Sequence, residues 1–139
     1  MTTESEDPRL ARVRAAFDRV AYAHFLGLEM CETEAGQTGI CLDVREELKQ
    51  NHGVIHGGAI ASLIDTASAF AILGLLQENE KVTTTDLTIH YLRPVTSGRM
   101  IAQAKIVRAG RRRFVVSVEV ENNGALVASA LTGYVKIGQ

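Results

Sequence analysis

Asp65 is the residue whose setting asks for chemistry. It lies within "HGGAIASLIDTASAFAILGLL", His56 to Leu76, and from Ala59 to Leu76 only Ser62, Asp65, Thr66 and Ser68 carry side chains able to hydrogen-bond. The stretch reads as one long buried helix. An unpaired buried carboxylate is expensive, so such a group is paired, protonated or functional. A hydroxyl, a lysine or a backbone N–H from a neighbouring sheet would satisfy it structurally. An apolar site would instead raise its pKa, which suits acid–base work.

A second candidate sits at the head of the same helix. His56, Gly57 and Gly58 occupy its first turn, where backbone N–H groups lack intrahelical acceptors. No Ser, Thr, Asp or Asn immediately precedes them as a cap. Glycines without Cβ let a ligand approach those donors, and the positive end of the helix dipole adds a modest field. Such a place suits an oxyanion or a polarised carbonyl, although the glycines also serve a tight loop-to-helix turn.

Spacing couples the two features. Gly57 and Asp65 are eight residues apart, roughly 12 Å along a helix axis, more than one aspartate can bridge. Two antiparallel copies of the helix about a two-fold axis would set Gly57 of one against Asp65 of the other. If both groups work together, their site lies between subunits.

The flanking segments must hold this helix. Asp7 before Pro8 predicts a helix start. Leu10, Val13, Phe17, Val20 and His24 recur at helical spacing as far as Gly27, opposite a solvated face with Arg9, Arg12, Asp18 and Arg19. Residues 28–34 and 37–45 predict two strands around an "AGQ" turn. Four further strands are expected in "VTTTDLTIHYLRP", "RMIAQAKIVRAG", "RRFVVSVEVENN" and "ALVASALTGYVKIG". Alternation is clear in Leu87, Ile89, Tyr91 and in Phe114, Val116, Val118, Val120. The turns "SGR", "AGRR" and "NNGA" predict an antiparallel meander of all four. This order gives an α+β chain, a curved antiparallel sheet around one long helix, whose open edge invites a second copy.

Composition narrows the function classes. The 139 residues fit a single domain, 1–139, with 1–7 expected to be a flexible lead-in. A net charge of −1 and no tryptophan argue against a nucleic-acid binder. The alternating strands after the apolar run argue for a soluble core and not a membrane span. Cys31 and Cys41, ten apart with no CxxC pair, suit free thiols in a reducing cytosol. The polar N-terminus shows no secretory pattern, so a cytoplasmic location is expected. His52 and His56 are spaced HxxxH, but the glycines around them and the lack of an HExxH glutamate or third ligand leave no metal expected. His24 and His90 read as ordinary helix and strand residues.

The run "QNHGVIHGGAIASLIDTA", then "TTTDLTIHYLRP" and "RAGRRRFVVSVEV", resembles the hotdog-fold acyl-CoA thioesterases, in the branch related to phenylacetate-degradation thioesterases. The resemblance covers about residues 25–137. It implies hydrolysis of an acyl-CoA to a free acid and CoA, with no metal or added cofactor, in a homodimer or dimer of dimers. Asp65 then matches the catalytic carboxylate, as general base or nucleophile, and Gly57 the glycine whose N–H polarises the thioester carbonyl. His56 belongs to the same motif and shapes the turn. The family's Asn or Gln six residues before that histidine falls on Gln50, with Asn51 the commoner residue type one place off. Thr84 falls where relatives orient the attacking water, with Thr83 and Thr85 as neighbours. Gly58, Ser62, Thr66 and Ala69 are expected to line the substrate pocket. Arg93, Arg108, Arg111, Arg112 and Arg113 are candidates for the CoA phosphates, for which arginine is well suited. Hotdog dehydratases resemble this chain less: it has no proline between Pro8 and Pro94, and "DLTIH" spaces its pair by four. The rival reading is a non-catalytic acyl-CoA-binding module with Asp65 satisfied structurally.

Overall fold

The computed structural model describes residues 7–33 and 36–138. Residues 1–6 of the expected lead-in, and Ala35 of the "AGQ" turn, lie outside them. The Asp7 side chain accepts the Arg9 N–H and Pro8 opens helix α1 (Pro8–Asp18). The expected single helix to Gly27 is in fact two, because the chain turns at Arg19–Val20 and resumes as α2 (Ala21–Leu26). On one continuous helix Leu26 would point about half a turn away from Phe17. The break lets Phe17, Ala23 and Leu26 all enter the core. Gly27, at φ 85°, ends α2 in the left-handed region, where glycine carries no Cβ penalty.

The remaining elements are β1 (Leu28–Glu32), β2 (Thr38–Asp43), a 3-10 turn (Glu46–Leu48), α3 (Gly57–Leu73), β3 (Lys81–Tyr91), β4 (Arg99–Ala109), β5 (Arg113–Asn122) and β6 (Ala125–Ile137). The six strands form one antiparallel sheet in the order β1-β2-β4-β5-β6-β3. The expected four-strand meander therefore holds only for β4, β5 and β6. β3 pairs with β6, and β4 with β2. Residues 92–98 are not a hairpin turn but a crossing at the end of the sheet. The Leu92 and Arg93 N–H groups are anchored on the Val127 carbonyl, and Val95 accepts from the Ile55 N–H.

The sheet curves around one side of α3. Leu63, Ile64 and Ile72 pack into a core with Met100, Ala102, Val116, Val118 and Val120. Burying such side chains contributes about 1.5–3 kcal/mol each. The other side of α3 is open: Gly58 is exposed, and Ala61, Ser62, Asp65, Thr66 and Ala69 are only half-buried. The helix stops at Leu73, three residues before the expected Leu76, in a closing turn from the Leu75 and Leu76 N–H groups to the Ile72 and Leu73 carbonyls. Arg12 caps this end. Its Nη2 donates to the carbonyls of Leu73 and Leu76, at 2.9 and 2.7 Å. Arg12 thus belongs to a helix cap and not to the solvated face its periodicity suggested.

The cysteines are not the free thiols their spacing suggested. Cys31 and Cys41 form a disulfide across β1 and β2, with Cα atoms 6.1 Å apart. The hairpin register pairs Cys31 with Gly39 and Cys41 with Glu29. The two residues are therefore diagonal neighbours on one face, a proximity that linear spacing conceals. No helix among the described residues is long and apolar enough to cross a membrane.

Replacing Arg12 with alanine removes two charge-assisted bonds from the end of α3. Stability should fall by about 1–2 kcal/mol, read as a lower urea midpoint at unchanged slope.

Candidate active site

The carboxylate of Asp65 is held from the sheet. Its Oδ1 accepts the Thr84 Oγ1 hydrogen at 2.8 Å and the Tyr134 hydroxyl at 2.6 Å. The Tyr134 oxygen also lies 3.1 Å from the Asp65 backbone carbonyl. Thr84 and Tyr134 are directly paired across β3 and β6. No described residue forms an ion pair with Asp65. Burial, and secondarily the bond to Asp65, push the Tyr134 phenol up from its ordinary value, so at neutral pH it stays protonated and a donor.

A β-bulge decides which threonine reaches the carboxylate. From Tyr91 back to Leu87, alternate residues face α3. Strict alternation would continue inward at Thr85 and Thr83. The register shifts between Thr84 and Asp86, inserting Thr85 as an extra residue. Thr84 is thereby turned to Asp65, while Thr85 donates to Asp86 instead.

At the head of α3, His56 supplies the cap missing from the sequence pattern. Its Nδ1 accepts the Gly58 N–H at 2.8 Å, and its carbonyl accepts from the Ala59 N–H. The Gly57 N–H has no acceptor among the described residues. Tyr91 closes over this glycine, its hydroxyl donating to the Gly57 carbonyl at 2.9 Å. A Cβ on Gly57 would come within 3.3 Å of the Tyr91 ring, so the glycine makes this close packing possible. Ser62 donates to the Gly58 carbonyl and meets the Tyr22 hydroxyl at 2.8 Å.

A hollow of about 290 Å³ opens beside Gly57, with Gln50, Tyr91 and Arg93 in its lining. Gln50 lines this hollow, and Asn51 is not among its lining residues. Thr66 is half-buried on the open side of α3. Arg108, Arg111, Arg112 and Arg113 are exposed at the β4–β5 turn, at the opposite end from Arg93. Phe114, next to Arg113, pairs with Tyr134, so the cluster adjoins the Asp65 end of the sheet. One chain thus brings Gln50, Gly57 and Arg93 together, and separately Asp65, Thr84 and the arginine turn. It does not join the two groups.

Sequence reasoning missed Tyr91 and Tyr134 as parts of the site. Tyr91 reads as one more inward residue of β3. Tyr134 follows Ala128, Ala130 and Thr132 on the buried face of β6. The signal was a phenol in that row, since a buried hydroxyl needs a partner.

Residues 52–128 match the family model of the thioesterase superfamily. The chain belongs to that superfamily. The thioesterase is 31% identical over 103 residues to the proofreading thioesterase EntH of Klebsiella pneumoniae, covering 74% of each chain. It superposes on the Escherichia coli PaaI protein from the phenylacetic acid degradation operon with a TM-score of 0.83 and 26% identity, covering 94% of each chain. A Bacillus halodurans protein solved with CoA gives a TM-score of 0.80 at 26% identity, covering 100% of this chain and 97% of that one. The fold is the hotdog fold, a curved sheet wrapped on a central helix.

Gly58 offers a test of the helix head. An alanine Cβ there would lie 2.9 Å from His56 Nδ1 and displace the cap. Gly58→Ala should cost about 1 kcal/mol of stability in a denaturant melt, despite alanine's better helix propensity.

Proposed function

We propose that this thioesterase hydrolyses acyl-CoA thioesters at a site shared by two copies of the chain. The observation that carries the reading is a split pair on the open face of α3. At one end is a Gly57 N–H without an acceptor among the described residues, and eight residues on is a carboxylate to which, among those residues, two hydroxyls donate. About 12 Å of helix separates them. A two-fold axis near Ala61 would set each Gly57 opposite the partner's carboxylate. The long β3 strand, an edge of the sheet among the described residues, would meet its copy along the same axis.

In that arrangement the thioester carbonyl accepts from the Gly57 N–H, which takes up charge as the tetrahedral intermediate forms. Asp65 either draws a proton from the attacking water or attacks the carbonyl itself. The C–S bond then breaks and CoA leaves as its thiolate. On the base route the water oxygen is already in the acid; on the nucleophile route a water must then hydrolyse the acyl–Asp65 anhydride, which restores the carboxylate. Either way the products are a free acid and CoA. Gln50 sits beside Gly57 to hold the carbonyl or the water. The same axis brings Arg93 of one copy towards the arginine turn of the other. The mouth is then cationic, which suits the phosphates of CoA. The bound CoA of the Bacillus halodurans relative supports this substrate class.

Release of CoA should be followed with a thiol reagent over a panel of aryl, short-chain and medium-chain acyl-CoAs. Asp65→Asn should lower kcat by about 100-fold or more on every good substrate, with KM little changed. Near-full activity of that variant would overturn the role of Asp65, and wild-type binding without turnover would favour a non-catalytic module. Mixed dimers of Asp65→Asn with an inactive Gly57 variant should regain part of the activity, because one of their two sites is intact. Absence of rescue after verified subunit exchange would exclude a shared site.

A further inference from the structure

We infer that Tyr134 is a positioning residue: with Thr84 it anchors Oδ1 of Asp65 and so reserves Oδ2 for the reaction. The inference rests on the reading of Asp65 as the catalytic carboxylate. Both donors meet the same oxygen, at 2.6 and 2.8 Å, and no described residue donates to Oδ2. An ionised carboxylate has about four acceptor sites, two on each oxygen, and these two hydroxyls fill one side. Without them the terminal carboxylate torsion is broad and roughly two-fold, so the oxygens exchange places. With them, one oxygen faces the sheet and the other is left for water or carbonyl.

The two hydroxyls are not equivalent. Thr84 lies on β3, which among the described residues pairs with β6 alone, whereas β6 is held between β5 and β3. Tyr134 is also 2% exposed, packed in the core, and its oxygen lies over the Asp65 backbone carbonyl. It is the more rigid of the two supports. Its hydroxyl hydrogen is directed at Asp65 Oδ1, and burial keeps the phenol protonated, so it serves as a standing donor to the carboxylate. Hydroxyls in this role also avoid the neutralising charge that a lysine or arginine would bring to the carboxylate.

Tyr134→Phe keeps the ring and removes the donor. We expect kcat to fall about 10- to 100-fold with KM within about twofold, at a melting temperature within a few degrees of wild type. Thr84→Val should show the same split with a smaller loss. In the Asp65→Asn background, Tyr134→Phe should cause no further loss of the residual rate, since its effect passes through the carboxylate. Unchanged kcat in Tyr134→Phe, beside an inactive Asp65→Asn, would overturn the positioning role while leaving Asp65 catalytic. Equal losses in both backgrounds would overturn it too. An active Asp65→Asn would instead remove the underlying reading. If Tyr134→Phe fails to fold, Thr84→Val on the exposed edge decides: an unchanged kcat there means that Oδ1 needs no anchor.

Discussion

Everything at this site depends on how an apolar helix carries a carboxylate. α3 contributes Leu63, Ile64 and Ile72 to the core and can only be buried on the face that lies in the sheet. Asp65 stands at the boundary between that face and the open one. Its charge is costly in such surroundings unless donors are at hand. The sheet supplies them as two hydroxyls from one cross-strand pair, Thr84 and Tyr134. The β3 bulge turns one of these hydroxyls to the carboxylate, and β6 carries the other.

The head of the helix follows a complementary rule. Four N–H groups at an α-helix start have no partner within the helix. His56 satisfies Gly58 with its side chain and Ala59 with its carbonyl, while Tyr91 fixes the Gly57 carbonyl from the sheet. What is left is the Gly57 N–H, without an acceptor among the described residues, on a backbone held at both sides. A donor in this condition is preorganised, and preorganised dipoles contribute most where charge develops. The far end of the helix is closed by Arg12, so both termini of α3 are tied to other elements.

The buried polar groups are organised around the same region. Thr132 donates to Ser68, and Ser68 donates to the Ile64 carbonyl one turn below. These hydroxyls are fully enclosed, yet each has a partner, so they cost little and add rigidity between β6 and α3. Tyr134 lies next in the same row of β6. The strand that positions the carboxylate is thus locked to the helix that carries it.

Much of this was legible along the chain. Alternation in Phe114–Val120, the turns "AGRR" and "NNGA", and the apolar run after His56 each report a local preference, because side-chain period follows directly from backbone geometry. The spacing of Gly57 and Asp65 likewise follows from the helix rise. Pairing across the sheet does not follow from such periods. That β3 joins β6 and not β4, that Cys31 meets Cys41, and that α1 and α2 are separate helices were settled by which surfaces could be buried together. Which of three threonines meets Asp65 depended on one extra residue in β3, and that Gln50 lines the hollow beside Gly57 depended on the loop folding back. Tyr134, 69 residues from Asp65, shows the limit best. Local sequence encodes what each segment prefers, whereas a contact between distant residues exists only once the whole chain has chosen its register.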